Sequence, residues 1–154
     1  MQLPLTGSCQ CRAVRYRCTA APSSIYACHC TECQRQSGSA FGMSILMPRE
    51  AFSFTQGAPR TWTRSSDSGR MIDCMFCPDC GTRIVHLPQH SPGLAIIRAG
   101  TLDDTRSVKL AGHIWTASRQ PWFEVPAGSI AYERQPPDFA RLIEAYAAIA
   151  DRPD

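Results

Sequence analysis

Cys77-Pro78-Asp79-Cys80-Gly81 is a C-x-x-C turn. Proline tightens the bend, both thiols come round to one side, and Gly81 lets the backbone leave in a conformation other residues resist. Such a turn is half of a tetrahedral metal site. Cys9-Gln10-Cys11 offers the other half. In an extended strand residues two apart point the same way, so both sulfurs face one ion while Gln10 faces away. Together the two pairs supply the four thiolates of a closed structural zinc, with Zn–S distances of about 2.3 Å.

A third cluster, Cys28-His29-Cys30-Thr31-Glu32-Cys33, packs three thiols into six residues. Three protein ligands with a fourth position open is the arrangement by which zinc does chemistry. His29 should point away from Cys28 and Cys30 if the segment is extended, and is not counted as a ligand. Spacing alone leaves another pairing open, Cys30/Cys33 with Cys77/Cys80 around a single ion. An all-thiolate, redox-silent set favours zinc over iron–sulfur, and a redox dithiol role for either C-x-x-C is the main competitor. Cys18 and Cys74 lie in alternating patterns with Val14 and Tyr16, and with Ile72 and Phe76, and read as small buried hydrophobes.

The 154-residue chain holds nine cysteines, an odd number that cannot all pair as disulfides. The start, Met1-Gln-Leu-Pro-Leu-Thr-Gly7, lacks the charged and apolar regions of a secretory signal, so the expected location is the reducing cytoplasm, where thiols favour metals over disulfides. With 44% hydrophobic and 19% charged residues the composition is that of one globular domain, residues 1–154, without a membrane span. The net charge of +3 comes almost wholly from scattered arginines, Lys109 being the single lysine. No basic stripe marks a nucleic-acid surface.

Short strands dominate the patterning. Val14, Tyr16 and Cys18 alternate with arginines, and Phe41, Met43, Ile45 and Met47 repeat the period of two. Further strands are expected over Thr61–Arg64, Arg70–Phe76, Leu94–Ala99 and Gly112–Ala117, separated by turns such as Gln56-Gly57-Ala58-Pro59. A brief helix follows Cys30 and stops near Gly38. A longer one, about 138–150, starts at Pro136-Pro137-Asp138 and places Phe139, Leu142, Ile143, Tyr146 and Ile149 on one face, to lie across the sheets.

With these residues in hand, the chain resembles the glutathione-dependent formaldehyde-activating enzyme family, also called the centromere protein V family. The resemblance rests on Gly7-Ser-Cys9-Gln-Cys11-Arg-Ala-Val-Arg-Tyr16, Cys28-His-Cys30-Thr-Glu-Cys33-Gln-Arg-Gln-Ser-Gly38, Phe76-Cys77-Pro-Asp-Cys80-Gly-Thr82 and Ala99-Gly-Thr-Leu-Asp-Asp104, with His113-Ile-Trp115 and Ser118-Arg-Gln-Pro-Trp122 beyond. It spans about residues 5 to 125. It implies a mainly β, β-tent-like fold of small antiparallel sheets pinned by zinc. It also implies a structural zinc on Cys9, Cys11, Cys77 and Cys80, and a second, more exposed and labile zinc on Cys28, Cys30 and Cys33. Relatives often carry a basic pair after the third cysteine of that cluster; here Gln34-Arg35 stands instead.

The activity the resemblance implies is carbon–sulfur lyase chemistry on a small thiol adduct, the joining of formaldehyde to glutathione as S-hydroxymethylglutathione or its reverse. Candidates for moving the proton are His29, Glu32, Asp103 and Asp104, and Arg12, Arg35 and Arg83 lie beside the clusters where an anionic thiol would want them. Three thiolates carry −3 against the metal's +2, a weak Lewis acid, which keeps a non-catalytic zinc domain that binds a thiol as the second reading. A scaffold module is the third.

Overall fold

The structure is a computed structural model that describes residues 1–66, 69–150 and 152. In chain order the strands are β1 (Leu5–Ser8), β2 (Arg15–Cys18), β3 (Ser24–Cys28), β4 (Gly42–Pro48), β5 (Phe52–Gln56), β6 (Arg60–Ser65), β7 (Met71–Phe76), β8 (Arg83–Pro88), β9 (Leu94–Arg98), β10 (Gly112–Ile114) and β11 (Ile130–Ala131). Helix α1 covers Thr31–Ser37 and α2 covers Ala140–Ile149. The fold is mainly β with a C-terminal helix, as the patterning indicates. Among the described residues no helix is long and apolar enough to cross a membrane.

The chain divides into two compact units, Met1–Pro22 with Ile45–Ser107, and Ser23–Ser44 with Val108–Asp154. In the first, β1, β2 and β5 form an antiparallel three-stranded sheet. Gly7 faces Tyr16 across β1 and β2, and a Cβ at Gly7 would sit 2.3 Å from the Tyr16 ring, so only glycine admits that ring here. Tyr16 in turn bonds Thr101 through its hydroxyl, at 2.8 Å, and packs on Phe52. Strands β6, β7, β8 and β9 make an antiparallel meander. It is entered through Gly57, whose φ of 79° only glycine adopts without strain. Val85 and Ile97 pair across β8 and β9 with no exposed surface and centre this unit's core.

In the second unit β10 lies parallel to both β3 and β11. Every residue of β3 is buried. Burial on both faces erases the alternation that marks a half-buried strand, so Ser24–Cys28 gave no periodic signal. Helix α2 packs on β3: Ser24 Oγ donates to the Leu142 carbonyl at 2.9 Å, and Tyr26 meets Phe139 at 5.3 Å between ring centroids. Leu142 and Tyr146 are buried while Ile143 is 40% exposed, so the apolar stripe is narrower than its spacing suggested. The strand expected over Gly112–Ala117 stops at Ile114. Trp115 takes a left-handed conformation, φ 59°, and turns the chain into a short 3-10 segment, Thr116–Ser118.

Candidate metal centres

The sulfurs of Cys9, Cys11, Cys77 and Cys80 all lie within 4.8 Å of one another, inside the first unit. Cys9 and Cys11 are not on a strand, as their spacing suggested. β1 ends at Ser8 and the pair sits in a tight turn in which Arg12 N–H donates to the Cys9 carbonyl and Cys9 N–H to that of Val14, both at 3.0 Å. Arg12, at φ 63°, reverses the chain. Cys77 and Cys80 occupy a matching turn after β7, closed by Gly81 N–H on the Cys77 carbonyl at 3.0 Å with Gly81 at φ 72°. Backbone N–H groups point at the thiols: Val14 N lies 3.3 Å from Cys9 Sγ.

The donor set fits zinc. In a tetrahedron with Zn–S bonds of about 2.3 Å, sulfurs stand about 3.8 Å apart. Cys9 and Cys11 sulfurs are separated by 3.5 Å, and Cys11 and Cys77 by 3.7 Å. The electrostatics point the same way. The Thr82 hydroxyl, 3.1 Å from Cys80 Sγ, and the Thr82 backbone hold the Cys80 thiol at about 5, so it is a thiolate at neutral pH. At Cys11 the Ala13 backbone favours the thiolate, but the Cys9 and Cys80 sulfurs override it and push the thiol up to about 12. Four sulfurs this close cannot all ionise without a cation among them.

The second group, Cys28, Cys30 and Cys33, gathers its sulfurs within the same 4.8 Å limit in the second unit. Cys28 ends β3, Cys30 caps helix α1 by accepting from Cys33 N–H at 3.4 Å, and Cys33 lies in its first turn. The helix closes at Gly38, φ 58°, where a brief helix was expected to stop. Hydrogen bonding to Cys30 and Cys33, then burial, raises the Cys28 thiol well above its usual pKa, the mark of crowded thiols with no charge to offset them.

His29 turns away from these sulfurs and anchors the segment. Its ring is fully buried among Phe41, His113 and Phe123. Its Nε2 lies 3.0 Å from His113 Nδ1, and its own Nδ1 has no partner among the described residues. An unpaired acceptor costs less than an unpaired N–H, so His29 carries its proton on Nε2 and donates it. The backbone of His29 is held as firmly. Its N–H donates to Ile114 O at 2.9 Å, and its carbonyl accepts from Gln34 Nε2 at 2.7 Å and Ser118 Oγ at 3.0 Å. Gln34 Nε2 also reaches Ser118 O, and its Oε1 accepts from Gln120 Nε2 at 2.7 Å.

Residues 4–118 match the sequence profile described as Glutathione-dependent formaldehyde-activating enzyme. The chain belongs to that family. The matched region takes in all seven clustered cysteines and ends before α2. A crystal structure of a Rhodobacter sphaeroides protein is similar at a TM-score of 0.53 and 15% identity, covering 82% of this chain and 98% of that one, a likeness of fold. No curated protein matches this chain.

The remaining candidates of this family member fall into separate settings. Glu32 pairs with Arg35 on α1 at 2.5 Å. Asp103 accepts from Thr6 Oγ1 and Arg15, and Asp104 from Arg106, all in the first unit. Arg12 belongs to the turn of the four-sulfur group, and Arg83 lies over Trp62 and Phe76. Cys18 and Cys74 have no exposed surface, as buried hydrophobes should. Gln34, Ser118 and Gln120 drew no functional reading from the sequence. Their partners lie 84 to 86 residues apart, beyond any local spacing.

Proposed function

We propose that this protein is a zinc-dependent carbon–sulfur lyase acting on a small thiol adduct, forming or cleaving S-hydroxymethylglutathione. The observation that carries the reading is the three-sulfur group at Cys28, Cys30 and Cys33, one donor short of a closed tetrahedron. Family membership, which ties the chain to glutathione-related formaldehyde activation, supports it. Cys9, Cys11, Cys77 and Cys80 would hold a structural zinc and Cys28, Cys30 and Cys33 a second. Zinc at the second group supplies a positive charge that favours a substrate sulfur as thiolate.

In the forming direction a C–S bond is made and the thiol proton ends on the former carbonyl oxygen; cleavage returns it to sulfur. We assign the passing of that proton to solvent to Glu32, one residue before Cys33 and part-exposed. His29 does not take this role, because its ring is buried against His113. Its work is to hold Cys28 and Cys30 in position from behind. The reaction takes place in the cytoplasm, where thiols stay reduced.

The test is turnover of S-hydroxymethylglutathione with metal content measured on the same sample. The intact chain is expected to carry two zinc ions and turn over; Cys30→Ser is expected to keep one and lose turnover. Unchanged turnover in Cys30→Ser refutes the enzyme reading at this site. The excess of thiolate charge over zinc favours a second reading, a thiol-binding domain without turnover. Glutathione binding by a zinc-loaded, inactive wild type would select it.

A further inference from the structure

Strands β6, β7 and β8 carry one acidic residue among them, Asp73. Its carboxylate is held by Thr63 Oγ1 at 2.6 Å and Gln89 Nε2 at 3.1 Å. Thr63 and Asp73 are paired in register, and alternation puts them on one face of the ladder. The other face holds the row Trp62–Cys74–His86, with Arg64 opposite Ile72 in the next row. A bulge between Met75 and Phe76 sets Arg83 opposite Phe76 and brings its side chain to this face as well. The Arg83 guanidinium lies 5.4 Å from the centroid of Trp62 and 6.0 Å from that of Phe76, with Nη1 3.3 Å from His86 Nε2.

Arg64 and Arg83 thus share one face, and among the described residues of β6–β8 no carboxylate lies on it. Arg64 and Arg83 both favour the ionised form of the Cys74 sulfur electrostatically, although that residue is fully buried. That sulfur supplies no formal charge, because burial raises its thiol above the usual value. Arg83 is itself held below its ordinary pKa by burial and then by the nearby Arg64 and Arg98, so this face carries an excess of positive charge in a part-desolvated setting. Beside it Trp62 leaves half its surface, 50%, open. Arginines with an exposed aromatic form a ready recognition surface, the fork for planar oxyanions and the indole for an apolar body.

We propose that the Trp62/Arg64/Arg83 face of strands β6–β8 binds a small organic oxyanion, a carboxylate or phosphate ester whose charge lies between the two guanidiniums and whose apolar body rests on the open part of Trp62. The site lies within the first unit and does not rest on the zinc-lyase reading.

The test titrates the full chain with benzoate, acetate and inorganic phosphate, followed by tryptophan fluorescence and amide chemical shifts. Saturable binding is expected, benzoate tighter than acetate, with shifts centred on β6–β8. Arg64→Gln and Arg83→Gln should each weaken it at least about tenfold, the loss of one charge-assisted hydrogen bond. Trp62→Phe should abolish the fluorescence response while phosphate still binds. Benzoate favoured over phosphate marks a carboxylate as the ligand, and the reverse order a phosphate ester. If Arg83→Gln does not fold, Arg64→Gln and Arg83→Lys carry the test. Cys30→Ser should bind like wild type, which separates this site from the fate of the lyase reading. Undiminished affinity in the arginine variants, shifts centred elsewhere or no saturation overturns the proposal.

Discussion

The Nε2 of His29 lies 3.0 Å from the Nδ1 of His113, so a residue flanked by two clustered cysteines is tied to a strand 84 positions later by one shared proton. Burial disfavours the charged form of both rings. Burial lowers the pKa of His113. Burial, then His113 and Arg119, hold His29 at about 4.

A pH dependence follows, carried by the His29–His113 pair. A base whose folded pKa is depressed binds more protons unfolded than folded just below its unfolded value, so its contribution is complete above about pH 6.5 and is lost as the pH falls. The melting temperature of wild type is expected to drop below that pH more steeply than that of His113→Gln. Protonation of the cysteines acts on both proteins alike, so the difference between the two curves reports the His29–His113 pair. Superimposable slopes would contradict it.

Gln34→Leu removes an amide that donates to two carbonyls and accepts from Gln120. The expected loss is about 1–3 kcal/mol of stability from carbonyls left unpaired. Zinc affinity at the three-sulfur group should also fall about 10–100-fold, as for other outer partners of metal ligands. Competition with a chromophoric chelator reads both sites, and the four-sulfur group should be unchanged.

Cys9→Ser and Cys77→Ser should unfold the first unit rather than merely inactivate the protein, because a structural zinc contributes on the order of 10 kcal/mol to folding. Circular dichroism and a melting curve decide this. Cys30→Ser, by contrast, should melt cooperatively with one zinc per chain.

Gly7→Ala drives a methyl to 2.3 Å from the Tyr16 ring and 2.4 Å from the Thr101 carbonyl. Overpacking of this kind costs about 1–3 kcal/mol or more. Truncating the ring with Tyr16→Ala should not restore wild-type stability, since the Thr101 carbonyl remains in the way. Chemical denaturation of the single and double variants measures it.

Much of this was legible beforehand, where the residue that decides a feature is near in sequence. Gly38 ends α1 where its position said it would, and β2, β4, β6, β7 and β9 form where strands were expected. The seven clustered cysteines fall into the two groups that the family resemblance implied and spacing left open. The turn at Cys9-Gln10-Cys11 was misjudged because C-x-C fits strand and turn equally, and the left-handed Arg12 that chooses between them carries no glycine to announce it. β8, buried along most of its length, offered no alternation to find. The His29–His113 and Gln34–Ser118 contacts are products of tertiary pairing, and nothing near either residue foretells its partner.

The two stretches that compose each unit alternate along the chain, and this gives synthesis on the ribosome an order. All four thiols of the Cys9/Cys11/Cys77/Cys80 group have been translated by residue 80, while Cys28, Cys30 and Cys33 must wait for His113 and Ser118 before their segment is braced. A nascent chain halted near Ser107 thus owns the four-sulfur group in full and holds the other as three unsupported thiols.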